Sequence, residues 1–183
     1  MALKSIVYKA DLQINDFDRH RYDNYTLTIA QHPSETEERM MVRVLAYALN
    51  ADEALAFGKG LSSDDEPDLW LKDLTGAIRL WVDVGLPDVK SLRKAAGRAE
   101  QVLLYAYGKA ADIWWRENRS EVERIDNLVV YQLDAASTQG LAALTERTMR
   151  LQFSVQDGEL NLSGDRGAIS IHLQTLKAAA TRS

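Results

Sequence analysis

The chain has 183 residues, 46% hydrophobic and 27% charged, with 22 Lys and Arg against 27 Asp and Glu for a net charge of −5. A single domain of this length buries roughly 70% of its unfolded surface, so it needs no disulfide or metal staple, and the near-average composition excludes disordered and collagen-like classes. There is no cysteine and the only histidines are His20, His32 and His172, which excludes thiol nucleophiles, thiolate zinc sites, iron–sulfur clusters and the HExxH zinc-protease helix.

The chemistry left belongs to carboxylates, Lys, Arg and hydroxyls. An acidic balance does not advertise a nucleic-acid or anionic-membrane partner, although a local basic patch is compatible with it. No apolar run approaches the ~18 residues of a membrane span. Asp11 and Asp16 fall where a signal peptide needs its apolar core and cleavage site. The expectation is a soluble cytoplasmic protein with no membrane partner.

In chain order, Leu12 and Ile14 alternate with Asp11 and Gln13, and Tyr25, Leu27 and Ile29 alternate with Thr26 and Thr28. This spacing predicts two strands joined across the polar stretch 16–24. His32-Pro33 stops the second strand. Ser34 with Glu37 three residues on reads as a capping box opening a helix through Asn50. Met40, Met41, Val44, Leu45, Tyr47, Ala48 and Leu49 cover more than half of that helix, with Arg39 and Arg43 marking its exposed remainder. Short strands LWLKDL and IRLWVDVG follow a loop-rich stretch. Asp88 is positioned to cap a helix over 89–99, and EQVLLYAYG reads as a buried strand. The rest reads as helix 109–125, strand 127–133, helix 137–148 and strands 149–156, 158–163 and 168–174, with a tight turn at Gln156-Asp157-Gly158. One α+β domain, a mixed sheet flanked by helices, is the expected architecture.

Several motifs are absent: GxxxxGK[ST], GxGxxG and GxSxG do not occur, and Gly58-Lys59-Gly60 is no substitute. The run Asp64-Asp65-Glu66 lacks calcium-loop spacing and reads as a solvated loop. Trp114 and Trp115 read as helix residues bridging core and surface, and His172 as a polar position in a strand. The informative acids are one in the first turn of the enclosed helix (Glu37 or Glu38), Asp68 after Pro67 at a strand start, and Asp83 in an otherwise apolar strand. Such a carboxylate must be paired, protonated or bound to a cation. On the next helix Lys90, Arg93, Lys94 and Arg98 oppose Leu92, Ala95, Ala96 and Ala99, forming a basic ridge with no acid. Charge runs are usually solvated faces. Carboxylates beside basic side chains are also the equipment of phosphodiester chemistry.

The runs HPSETEERM, DEPDLWL, LWVDVGLPD and Trp114-Trp115, in this order, resemble the YaeQ family over essentially the whole chain. That family resembles a compact variation of the PD-(D/E)XK nuclease fold. The resemblance implies a hairpin in 1–32, a nuclease-like core in 34–107 (helix, three strands, helix, strand, with AFGKGL supplying the first strand), and helices and strands in 108–183 completing the sheet. It further implies Mg²⁺ or Mn²⁺ held by Asp68 and Asp83, with Glu38 orienting a ligand or water and Glu37 as the alternative. The motif's lysine is missing: Gly85 stands two residues after Asp83. Lys94, or Lys90, would replace it at the scissile phosphate, with Lys90, Arg93 and Arg98 on the backbone of DNA or RNA. The competing expectation is a non-catalytic module of the same fold, acting through nucleic acid or a protein partner.

Overall fold

Strict alternation builds the first sheet. In the computed structural model, which describes residues 4–59 and 65–181, β1 (Ile6–Asp16) pairs antiparallel with β2 (Arg21–Gln31). Tyr8, Ala10, Leu12 and Ile14 are buried while Lys9, Asp11 and Gln13 are exposed, as a period of two requires. The connection is shorter than the polar stretch 16–24 implies, because Arg21 to Asn24 join the ladder opposite Asp16 to Gln13. Asp16 Oδ1 accepts the backbone N–H groups of Asp18 and Arg19 at 3.1 and 3.0 Å and so closes a four-residue turn.

β8 (Thr148–Gln156) runs parallel to β1, and β9 (Glu159–Gly164) and β10 (Gly167–Ile171) extend the sheet to the order β10-β9-β8-β1-β2. The tight turn expected at 156–158 is present, with positive φ at Asp157 and Gly158, and their N–H groups are bound by the Asp18 carboxylate. α1 (Glu37–Leu49) is buried at every position from Met40 to Ala48. Tyr47 meets Tyr25 of β2 edge to face at 5.7 Å. These segments, 1–49 and 136–172, form one compact unit, which also carries most of α4 (Ala135–Ala143).

Two details of α1 differ from the sequence reading. Thr36, not Ser34, caps it: Thr36 Oγ1 accepts the Arg39 N–H at 3.1 Å, whereas the Ser34 hydroxyl bonds His32 Nδ1 at 2.8 Å. Arg43 is buried rather than exposed. Its Nε and Nη2 donate to the Glu35 carboxylate at 2.9 and 2.5 Å, and Nη2 also donates to the Ala30 carbonyl at 2.9 Å. Arg39 joins the same carboxylate at 2.7 Å. A guanidinium that reaches a buried acid satisfies the helix period without being solvated.

The second unit, 50–135 and 173–183, holds a six-stranded sheet of order β11-β7-β6-β5-β4-β3. Its strands are β3 (Leu55–Phe57), β4 (Leu69–Lys72), β5 (Ile78–Val84), β6 (Ala99–Ala106), β7 (Leu128–Leu133) and β11 (Leu173–Lys177). β5, β6 and β7 are parallel and joined through α2 (Val89–Arg98) and α3 (Ala111–Val122). Both crossovers step the same way along the sheet, so both helices cover one face. There Trp81, Leu92, Ala95, Val102, Leu104, Val122, Leu128 and Val130 form a core, with Trp114 and Trp115 half-buried against it, as expected of that pair.

The expected single mixed sheet is therefore two mixed sheets. Strands from 148–171 complete the hairpin's sheet rather than the core sheet, and only β11 joins the latter. The expected strand 168–174 is broken at His172, whose backbone N–H is taken by Ser137 Oγ at 2.8 Å. β10 ends before it and β11, pairing with β7, begins after it.

Removing Arg43 leaves Glu35 buried with one guanidinium fewer, so Arg43→Ala is expected to cost about 3–5 kcal/mol in urea denaturation. The double change Glu35→Leu, Arg43→Leu should recover most of that loss. Tyr105 tests alkaline behaviour: burial raises its phenol above the ordinary value, despite the 2.9 Å bond from Asn50 Nδ2. Its contribution is full below about pH 10 and falls above it, as only the unfolded phenol ionises. Tyr105→Phe should lose less stability than the parent between about pH 9.5 and 11.

Candidate functional site

Pro67-Asp68 and Asp83 meet through strand register. β4 and β5 pair antiparallel with Leu69 opposite Val82 and Trp70 opposite Trp81. One step past that ladder sets Asp68 against Asp83. Both carboxylates are buried, at 1% and 6% exposure. Asp68 Oδ2 accepts the Val84 N–H at 2.8 Å, and Asp83 Oδ2 accepts the Trp81 indole N–H at 3.0 Å. Each side chain is thus oriented by a donor that β5 itself supplies. The pair lies toward the carboxyl end of parallel β5, the end at which open α/β sheets bind ligands.

Gly58 fixes the approach to this rung. Its N–H donates to the Asp68 carbonyl at 2.9 Å. A Cβ there would stand 2.0 Å from the Pro67 carbonyl oxygen. A Gly in a loop without a nucleotide motif gives no hint of this. The requirement comes from β3 lying against the segment that carries Asp68.

Trp81 links the acids to the basic helix. Arg98 stacks on the Trp81 ring at 5.0 Å and donates to the Asp65 carbonyl at 3.1 Å. Trp70 meets Trp81 edge to face at 6.1 Å, and Lys72 sits over Trp70 at 3.6 Å. The i,i+2 spacing of Trp81 and Asp83 carries a signal for this arrangement, since side chains two apart in a strand share a face. Composition and motif spacing gave Trp81 no role.

Lys90, Arg93, Lys94 and Arg98 are all exposed on α2, opposite buried Leu92 and Ala95. The ridge is nevertheless not free of acids, as Arg93 pairs with Glu121 of α3. Both partners are about half exposed, so the pair is worth at most about 1 kcal/mol. Asp88 occupies the N-cap position of α2 but makes no side-chain cap hydrogen bond.

Glu37 and Glu38 fall in the first turn of α1, in the first unit, with Glu37 exposed and Glu38 half-buried. With Thr36 as cap, Glu37 has no capping-box role. Asp64 and Gly60 lie outside the described residues. Glu66 accepts the Lys59 N–H at 2.9 Å, a loop contact in keeping with the solvated reading.

Gly85, where the nuclease motif carries lysine, has φ of +107°. A side chain is strained in that conformation, so this backbone resists the missing lysine. Among the described residues no three His, Asp or Glu side chains cluster to hold a metal. Asp68 and Asp83 are oxygen donors of the type a hard divalent cation such as Mg²⁺ takes, one or two protein carboxylates at a time.

The architecture and the buried acid pair define an α+β protein with two mixed sheets and a carboxylate rung beside a basic helix. Among the described residues no helix is long and apolar enough to cross a membrane. The chain belongs to the YaeQ family, whose description, YaeQ protein, matches residues 1–173. It is 44% identical to YaeQ of Escherichia coli K12 and 45% identical to that of Salmonella typhi, over 94% of this chain and 96% of each relative. The crystal structure of YaeQ from Xanthomonas axonopodis pv. citri superposes with a TM-score of 0.90 at 46% identity, over 97% of this chain and 99% of that one. The Pseudomonas syringae YaeQ structure gives 0.90 at 37% identity, over 95% and 97%.

Filling the Gly58 contact must displace the Pro67 carbonyl. Gly58→Ala is expected to lower stability by about 1–3 kcal/mol, as overpacking does. Chemical denaturation compared with Gly97→Ala, where an added Cβ meets nothing within 4 Å, checks this.

Proposed function

We propose that the second unit is a nuclease-like module that holds Mg²⁺ or Mn²⁺ through Asp68 and Asp83 and takes a phosphodiester backbone, of DNA or RNA, on α2. The observation that carries this reading is the buried Asp68–Asp83 rung. Two carboxylates on facing strand positions supply oxygen donors of the kind a hard divalent cation takes. A bound divalent cation would supply charge neutralisation at a phosphate oxygen and a more acidic water.

The chain's own residues do the rest. Val84 N–H and Trp81 Nε1–H hold the two carboxylates in place. Arg98, over the Trp81 ring, presents a guanidinium whose geometry suits phosphate. Lys90 and Lys94 extend the positive face along α2, and Lys94 is the proposed replacement for the motif lysine at the scissile phosphate. Glu38, on α1 of the first unit, has only its match to the motif in its favour. The chain order α1, β3, β4, β5, α2, β6 is that of the PD-(D/E)XK core and supports the assignment. The positive φ of Gly85 favours a second reading, in which the module binds nucleic acid without cutting it.

Mn²⁺ titration followed by electron paramagnetic resonance separates these ideas. The parent protein is expected to bind Mn²⁺, and Asp83→Asn to bind it at least about 10-fold more weakly. Equal, negligible binding by both ends the cation proposal. DNA or RNA affinity should fall steeply with salt, and Lys90→Gln, Lys94→Gln should lower the slope by about one per lost phosphate contact. Cleavage of either polymer in Mn²⁺ supports hydrolysis, while salt-dependent binding without cleavage supports the binding module.

A further inference from the structure

Trp81 is buried to 1% exposure in the core, yet its one polar atom is spent on Asp83 rather than on the backbone. Indole nitrogen is only a donor, so this bond requires an acceptor at Asp83 and fixes which carboxylate oxygen faces the ring. The same ring carries Arg98 on its face at 5.0 Å. One side chain therefore touches both the acid assigned to the cation and the guanidinium assigned to the phosphate. Trp70, on the neighbouring strand, packs against it edge to face at 6.1 Å.

We infer that Trp81 is a positioning residue: its indole N–H orients Asp83 for the cation, and its ring seats Arg98. The inference rests on the proposed cation reading and deepens it. Donors behind a metal ligand commonly set affinity by 10–100-fold. A purely structural tryptophan would contribute packing and leave cation affinity alone. The arrangement also makes Trp81 sensitive to what Asp83 binds, since a cation drawing on the carboxylate weakens it as an acceptor.

The experiment uses the full chain labelled with ¹⁵N, whose four tryptophans give four indole cross-peaks, with that of Trp81 assigned by its loss in Trp81→Phe. Asp83→Asn is expected to move the Trp81 peak upfield without cation. Mg²⁺ is expected to shift this peak in the parent protein but not in Asp83→Asn. Trp81→Phe should weaken Mn²⁺ binding about 10-fold, while Trp70→Phe, which disturbs the same packing, should leave it within twofold. Mn²⁺ affinity unchanged in a folded Trp81→Phe overturns the inference and leaves the cation reading standing. A Trp81 peak indifferent to Asp83→Asn overturns it as well. Should Trp81→Phe fail to fold, the peak is assigned instead by the nuclear Overhauser contacts of its indole proton, and the Asp83→Asn and Mg²⁺ shifts decide alone. A parent protein that binds no Mn²⁺ overturns reading and inference together.

Discussion

A carboxylate removed from water must be met by donors or by positive charge, and the layout of both units follows from how this is done. In the first unit Glu35 is met by two guanidiniums, Arg39 and Arg43, one helical turn apart on α1. That closes the electrostatics and ties the loop before the helix to β2 through the Ala30 carbonyl. In the second unit Asp68 and Asp83 are set by donors from β5, a backbone N–H and an indole N–H. These orient the oxygens.

Placement in the sheet gives the second arrangement its reach. Asp83 lies on the helix-covered face near the end of a parallel strand, and Asp68 arrives from the antiparallel strand beside it. Gly58 admits the Pro67 carbonyl where a side chain would stand. Trp81 then connects the acid rung to Arg98. The positive φ of Gly85 gives the departure from the nuclease motif a backbone reason: the turn after β5 takes a conformation a lysine adopts poorly.

Much of the candidate site was legible. Asp83 stood out as an acid in an apolar strand, and Asp68 as an acid after Pro67 at a strand start. The four bases of α2 were placed correctly on one face by the helix period. Glu121, which engages Arg93, was not legible, because it comes from another helix 28 residues on. Trp81 was read as apolar strand content, since nothing in a hydrophobicity pattern distinguishes an indole whose N–H has found a carboxylate from one that packs. Arg43 was misread for the converse reason: a charge on a helix wheel looks solvated until its acid partner is located.

By itself the sequence determined the elements and their faces, because periods of two and 3.6 are local properties of the backbone. It also set the limits of the chemistry, since a chain without cysteine and with three separated histidines leaves oxygen ligands and cationic side chains. Tertiary structure alone decided which sheet each strand joined. The break at His172 sends β10 and β11 to different sheets, although the residues alternate without interruption, because alternation says which side of a strand is apolar and not which neighbour covers it. It also decided which donors meet each buried acid. That depends on donors brought together across strands and helices, which no local pattern encodes.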